Sequence, residues 1–245
     1  MSVPDAPNSD SVRPTPAPPR DRVIDALMRL AADRPWDDIE VTDIADAAGV
    51  TLSEFRDLFP SKGAVLGGLA RRVDKQVLEG STGDLAGEPP RERLFDVLMR
   101  RLDAMEPYKP ALRRIAFALR GDLASLLALN GVALNSQRFM LAAAGIPTEG
   151  PLGRLKLQGT VLVFANTLET WFTDDDPSLA RTMARLDREL RRGERTLERA
   201  EEARRFTAPL RALRQAVAEA VGGRSRRRAR RRAEDGDRTD PATAI

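Results

Sequence analysis

Residues 39–66 read IEVTDIADAAGVTLSEFRDLFPSKGAVL, and their punctuation predicts three consecutive short helices. The first covers about residues 42–48 and stops at Gly49, a residue type common just past a helix end. Thr51-Leu52-Ser53-Glu54 is a capping box: the Thr51 hydroxyl accepts one free backbone N–H, and the Glu54 carboxylate reaches back to another. Phe55, Leu58 and Phe59 give the following helix its apolar face, and Pro60 stops it. Ser61 caps the next helix, which carries Val65, Leu66, Leu69 and Val73. Two short helices on either side of a tight glycine turn make a helix-turn-helix.

Upstream, residues 21–34 place Ile24, Leu27, Met28 and Ala31 on one helical face, at the i, i+3, i+4, i+7 spacing. Asp21 is the expected cap, Pro35 the stop, and Trp36 a core anchor. The six prolines at 4, 7, 14, 16, 18 and 19, with no hydrophobic run, mark an unstructured arm and not a signal peptide. Downstream, GSTGDLAGEPP at 80–90 is a linker by composition. Beyond it Leu94, Phe95, Leu98, Met99, Leu102 and Met105 share a face, and a further helix runs through Leu112, Ile115, Ala116 and Leu119. Residues 123–144 are helical with no clear breaks. The stretch 152–173 is apolar on nearly every side, which predicts a helix covered all round. Asp176 is the expected cap of the next helix, with Pro177 at its first position. That helix carries Leu179, Met183, Leu186, Leu190 and Leu197 as a heptad stripe interrupted by Gly193, which suits packing against another helix.

The expected fold class is therefore all-α: a three-helix reader over residues 21–75 and a helical ligand and dimerisation domain over 91–200. An arm over 1–20, a linker over 76–90, an amphipathic helix over 201–221 and a basic tail over 222–245 complete the chain. The chain has no Cys and no His, which removes disulfides, thiolate nucleophiles and most zinc chemistry. It shows no nucleophile–base set, metal set or phosphate loop, so it is read as a non-enzyme with no cofactor and no metal. Asp174, Asp175 and Asp176 are better explained by helix capping than by a cation. A Cys-free chain without an apolar leader is expected in the cytoplasm. The net charge of +3 conceals RSRRRARRR at 224–232, seven arginines in nine positions. Such a block suits nucleic acid or peripheral contact with an anionic membrane.

Ile44-Ala45, Ala48-Gly49-Val50, Phe59 and Ser61-Lys62, taken with the first helix, resemble the DNA-binding domain of the TetR regulator family. The match spans about residues 21–73. The resemblance implies a homodimer whose small domains enter the DNA major groove and whose large domains enclose a small apolar ligand. It also implies that the helices at 152–173 and 177–199 form a four-helix dimer bundle. Thr51, Ser53, Arg56 and Lys62 are then the candidate phosphate-binding edge. Leu98, Leu102, Leu119, Phe139, Phe164, Leu168 and Trp171 are candidate ligand-lining residues, with ordinary core packing as the bland alternative for each. A second resemblance, carried by LFDVLMRRLDAM, AAGI and WFTDDDPSLARTMARLDREL over roughly 91–192, is to the lipid-binding accessory family of coenzyme Q (ubiquinone) biosynthesis. That family keeps the fold but is associated with isoprenoid lipids and membranes instead of DNA.

Charge bears on the choice. Residues 20–75 hold nine Arg or Lys and eleven Asp or Glu, a net of −2, whereas phosphate contacts need cations. Glu40 stands where the family has a phosphate-contacting Thr, and Arg56 where it has a backbone-contacting Tyr. DNA binding is the first expectation, and a purely structural helix-turn-helix is the alternative. Lys156 and Asn166 need partners on an otherwise apolar helix. Gly67 and Gly68, inside a helix at roughly 1 kcal/mol each relative to Ala, fit either a hinge or a close packing contact.

Overall fold

The first helix, α1 (Pro19–Asp33), begins at Pro19, whose missing N–H is harmless at that position. Asp21 consequently lies in the first turn and not at the cap. The helix buries Val23, Ile24, Ala26, Leu27, Met28 and Ala31. After it comes a turn of 3-10 helix at Trp36–Asp38. Trp36 is only half-buried, and the residue that anchors this turn in the core is Ile39, 1% exposed. A computed structural model describes residues 17–80, 87–150 and 152–203. The sequence expectations for the arm before residue 17, for 81–86 in the linker, for the amphipathic helix from 204 and for the basic tail lie outside the described residues.

Next come α2 (Val41–Ala48), α3 (Leu52–Leu58) and α4 (Lys62–Glu79). Gly49 closes α2 at φ +62°, a left-handed conformation that favours glycine. The capping box at α3 forms as expected: Glu54 N–H donates to Thr51 Oγ1 at 3.2 Å, and Thr51 N–H donates to a Glu54 carboxylate oxygen at 2.7 Å. Ser61 caps α4 by accepting the Ala64 N–H at 3.2 Å. The helix runs through Glu79, so the first residues of the expected linker are helical.

Helices α5 (Pro90–Met105), α6 (Lys109–Ala118), α7 (Leu123–Ala143) and α8 (Gly153–Trp171) follow. Asp122 caps α7 through the N–H groups of Ala124 and Ser125, and α7 is one unbroken helix. Residues 180–193 form a further helix, α9. It starts later than the sequence suggested. Asp176 caps only a local turn, accepting the Ser178 N–H, and Leu179 adopts φ 50° instead of entering the helix. The cap of α9 is Asp174, which accepts both the Thr182 N–H at 2.9 Å and the Thr182 hydroxyl at 2.7 Å.

Among the described residues every regular element is helical. In packing, α1 lies against α2, α4 and α6, while α4 lies against α5 and α7, and α7 against α8. Up to Gly193 the described residues form one unit, and Glu194 onward belong to a second, of which residues 194–203 are helical. Helix α8 is not covered on all sides within one chain: Leu155 is 41% and Leu162 60% exposed. Its polar residues find partners, Lys156 on the Pro147 carbonyl and Asn166 on Glu189.

Candidate nucleic-acid interface and ligand cavity

The α3 surface is built outward from Phe55, which buries its ring with Phe59, the two ring centroids being 6.3 Å apart. Burying Phe55 turns Leu52, Ser53, Arg56 and Asp57 to solvent. Ser53 and Arg56 stand where the sequence placed them, exposed on this face. Thr51 is exposed too, but its hydroxyl is held by Glu54. The Glu54 carboxyl is kept below its ordinary value by the Thr51 backbone N–H first and the Thr51 hydroxyl second. It therefore stays ionised and adds negative charge at the start of α3.

Lys62 departs from the sequence reading. Its Nζ donates to the carbonyls of Trp36 at 2.6 Å and Ile39 at 2.8 Å, and it lies 4.4 Å over the Trp36 ring. Its charge is directed inward, tying the α1–α2 turn to the start of α4. Other cations of this domain are also engaged. Arg20 stacks on Phe59 and donates to the Leu58 carbonyl. Arg34 pairs with Asp43, and Arg72 pairs with Asp25 and donates to the Tyr108 hydroxyl. The Arg72 contacts join α1 and α4 to the turn between α5 and α6.

The two adjacent glycines of α4 differ. A β-carbon at Gly68 would come within 2.7 Å of Phe59 Cε1 and 3.2 Å of Ile24 Cδ1, whereas one at Gly67 would meet Val132 Cγ2 at an ordinary 3.6 Å. Gly68 thus lets α4 approach α1 and Phe59 closely, which favours the packing explanation there.

Further along α4, Leu66, Leu69 and Val73 line one wall of a cavity of about 250 Å³ that also touches α5, α6, α7 and α8. Of the seven residues the sequence put forward as ligand-lining, Phe164 and Leu168 stand on the wall of this cavity. Leu98, Leu102 and Trp171 are wholly buried and Leu119 nearly so, as packed core away from the cavity, and Phe139 is 46% exposed. Helix periodicity marked these residues as inward but could not say which side of a neighbouring helix they meet. The sequence reading missed the polar part of the wall. Arg101, Ser136 and Gln137 line the cavity, and all are buried. Arg101 pairs with Asp74 of α4, and Ser136 donates to the same Asp74 oxygen at 2.7 Å. A signal existed: Arg101 falls on the apolar face between Leu98 and Leu102, and Asp74 beside Val73 and Val77. A charge within an apolar stripe calls for a buried partner. A second groove of about 530 Å³ runs past Trp36, Arg113 and Phe117, with Phe117 75% exposed.

The class these features define is an all-α chain with an N-terminal helix-turn-helix and a cavity-bearing helical body. Solved structures of that class match. The TetR transcriptional regulator from Nitrosomonas europaea ATCC 19718 is 22% identical, with a TM-score of 0.57, over 71% of this chain and 97% of its own. A TetR transcriptional regulator from Rhodococcus sp. RHA1 is 19% identical, with a TM-score of 0.52, over 71% of this chain and 95% of its own. The fold is TetR-like. No protein-family model matches the chain, and no curated protein is similar to it. No helix among the described residues is long and apolar enough to cross a membrane.

Proposed function

We propose that this chain is a TetR-type transcriptional regulator, a cytoplasmic homodimer that binds DNA through α2 and α3 and responds to a small, mainly apolar ligand. The observation that carries the reading is that one helix serves both ends. The first half of α4 abuts Phe59 beneath the reader helix, and its Leu66, Leu69 and Val73 line the cavity. A ligand that favours one placement of α4 shifts the two readers of a dimer between competent and incompetent spacings. Ser53 and Arg56 are the DNA-facing side chains of α3, with Thr51 at its N-terminus. Lys62 supports this surface from below.

The second copy is assigned to the face of α8 and α9 that exposes Leu155, Leu162 and Met183. Neighbouring solved structures that carry the fold are regulators, which supports this reading over a lipid-binding accessory role in ubiquinone biosynthesis.

The test is binding of the full chain to its own promoter region by mobility shift and footprinting at several salt concentrations. A salt-sensitive footprint over two half-sites is expected. No binding to that region, and no enrichment across the genome, would overturn the reading.

A further inference from the structure

We propose that Leu52, the first residue of α3, reads a thymine in each half-site by packing on its 5-methyl group in the major groove. This rests on the DNA-binding reading above and names one base that the reader selects.

The first turn of α3 has little polar chemistry left for a base edge. In the capping box the Thr51 hydroxyl accepts the Glu54 N–H and donates to the Glu54 carboxylate, which also accepts the Thr51 N–H. Phe55 is buried. Leu52 and Ser53 therefore form the outward surface of that turn, with Arg56 and Asp57 exposed one turn further on. Leu52 and Arg56 are four residues apart and share a face.

Leu52 is not part of the core. It is 53% exposed, the most exposed large apolar side chain of the reader over residues 17–80. An apolar residue beside a helix start can act as a staple, but the staple positions here are Val50 and Phe55, and both are buried.

A leucine side chain has no donor and no acceptor. It makes no hydrogen bond to a purine edge, to the cytosine amino group or to a phosphate. The group that the major groove presents to such a side chain is the thymine 5-methyl, and packing the two together removes both from water. The contact adds base preference without charge, so it leaves the salt slope to the cations.

The experiment is a uracil scan of the footprinted half-sites, bound by the full chain in mobility shifts at one salt concentration. Uracil keeps the hydrogen-bonding groups of thymine and lacks only the methyl. At one thymine of each half-site, uracil is expected to weaken binding about fourfold, and about fifteenfold when both half-sites carry it, as one methyl-sized group is uncovered per site. Leu52→Ala should bind the thymine and uracil sites alike. Leu52→Met should keep the discrimination, and so should Arg56→Ala on its weaker binding. Where Leu52→Ala does not fold, Leu52→Gln, polar at its tip, carries the same expectation. Half-sites without thymine, indifference to uracil at every thymine, or a discrimination that survives the loss of Leu52 would overturn the proposal. A salt-sensitive footprint that ignores uracil removes Leu52 as a base reader and leaves the regulator reading standing, whereas no footprint at all removes both.

Discussion

Gly68 passes so close to Phe59 that a β-carbon there would sit 2.7 Å from the ring's Cε1. The ring has little room to yield, since Arg20 stacks 4.4 Å over it and Phe59 is 1% exposed. Replacing Gly68 by Ala should destabilise the protein by about 1–2 kcal/mol, the overpacking cost exceeding the helix-propensity gain of about 1 kcal/mol. Gly67→Ala, which meets only an ordinary contact, should be neutral or stabilising by up to about 1 kcal/mol. Urea unfolding of the two variants checks this. Equal effects would mean that close packing is not what Gly68 provides.

Lys62 and Arg56 should separate stability from DNA binding. Lys62→Met removes two charge-assisted hydrogen bonds to the Trp36 and Ile39 carbonyls, at an expected cost of about 1–3 kcal/mol. Arg56 is exposed on α3, so Arg56→Ala should leave stability within about 0.5 kcal/mol. On the proposed function it should also weaken promoter binding and lower the salt slope by about two, one for each protomer of the dimer. Denaturation midpoints and mobility shifts at several salt concentrations report the two effects. An Arg56→Ala protein that binds DNA normally would remove Arg56 from the interface.

Stability should fall on the acid side. Four carboxylates are held below their ordinary values: Asp174 by the Thr182 hydroxyl, Glu54 and Asp43 by the backbone N–H groups of Thr51 and Glu40, and Asp122 by the Ser125 hydroxyl. For each, the folded state binds its proton less readily than the unfolded chain. Their contribution is therefore present above the unfolded values near 4 and is lost as pH drops through the lower folded values. Asp103, raised first by burial and then by Glu106, works in the opposite sense. Urea midpoints should decline below about pH 4, and the decline should be shallower in Asp174→Asn. A flat profile would show that these caps do not stabilise the fold.

Leu162 is 60% exposed on α8. If a second copy covers it, a charge there is buried without a partner. Leu162→Glu should sediment as a single subunit at concentrations where the parent chain is a dimer, with unchanged helical circular dichroism. A dimer of undiminished strength would move the interface elsewhere.

What the sequence determined by itself is the local grammar of the chain. The Thr51–Glu54 box, the Ser61 cap and the left-handed Gly49 each depend on groups within about four residues, and those distances are set by helix geometry before anything packs. The apolar stripes likewise marked which faces turn inward. The tertiary structure alone decided what those faces meet. Asp174 caps α9 across eight residues where Asp176 stood nearer in sequence. Arg101 finds Asp74 across 27 residues, and Ser136 reaches that carboxylate across 62. Lys62 turns back to carbonyls 23 and 26 residues away. Periodicity specifies direction from a helix axis but not the neighbour in that direction, so the polar wall of the cavity and the inward turn of Lys62 appear only once the helices are assembled.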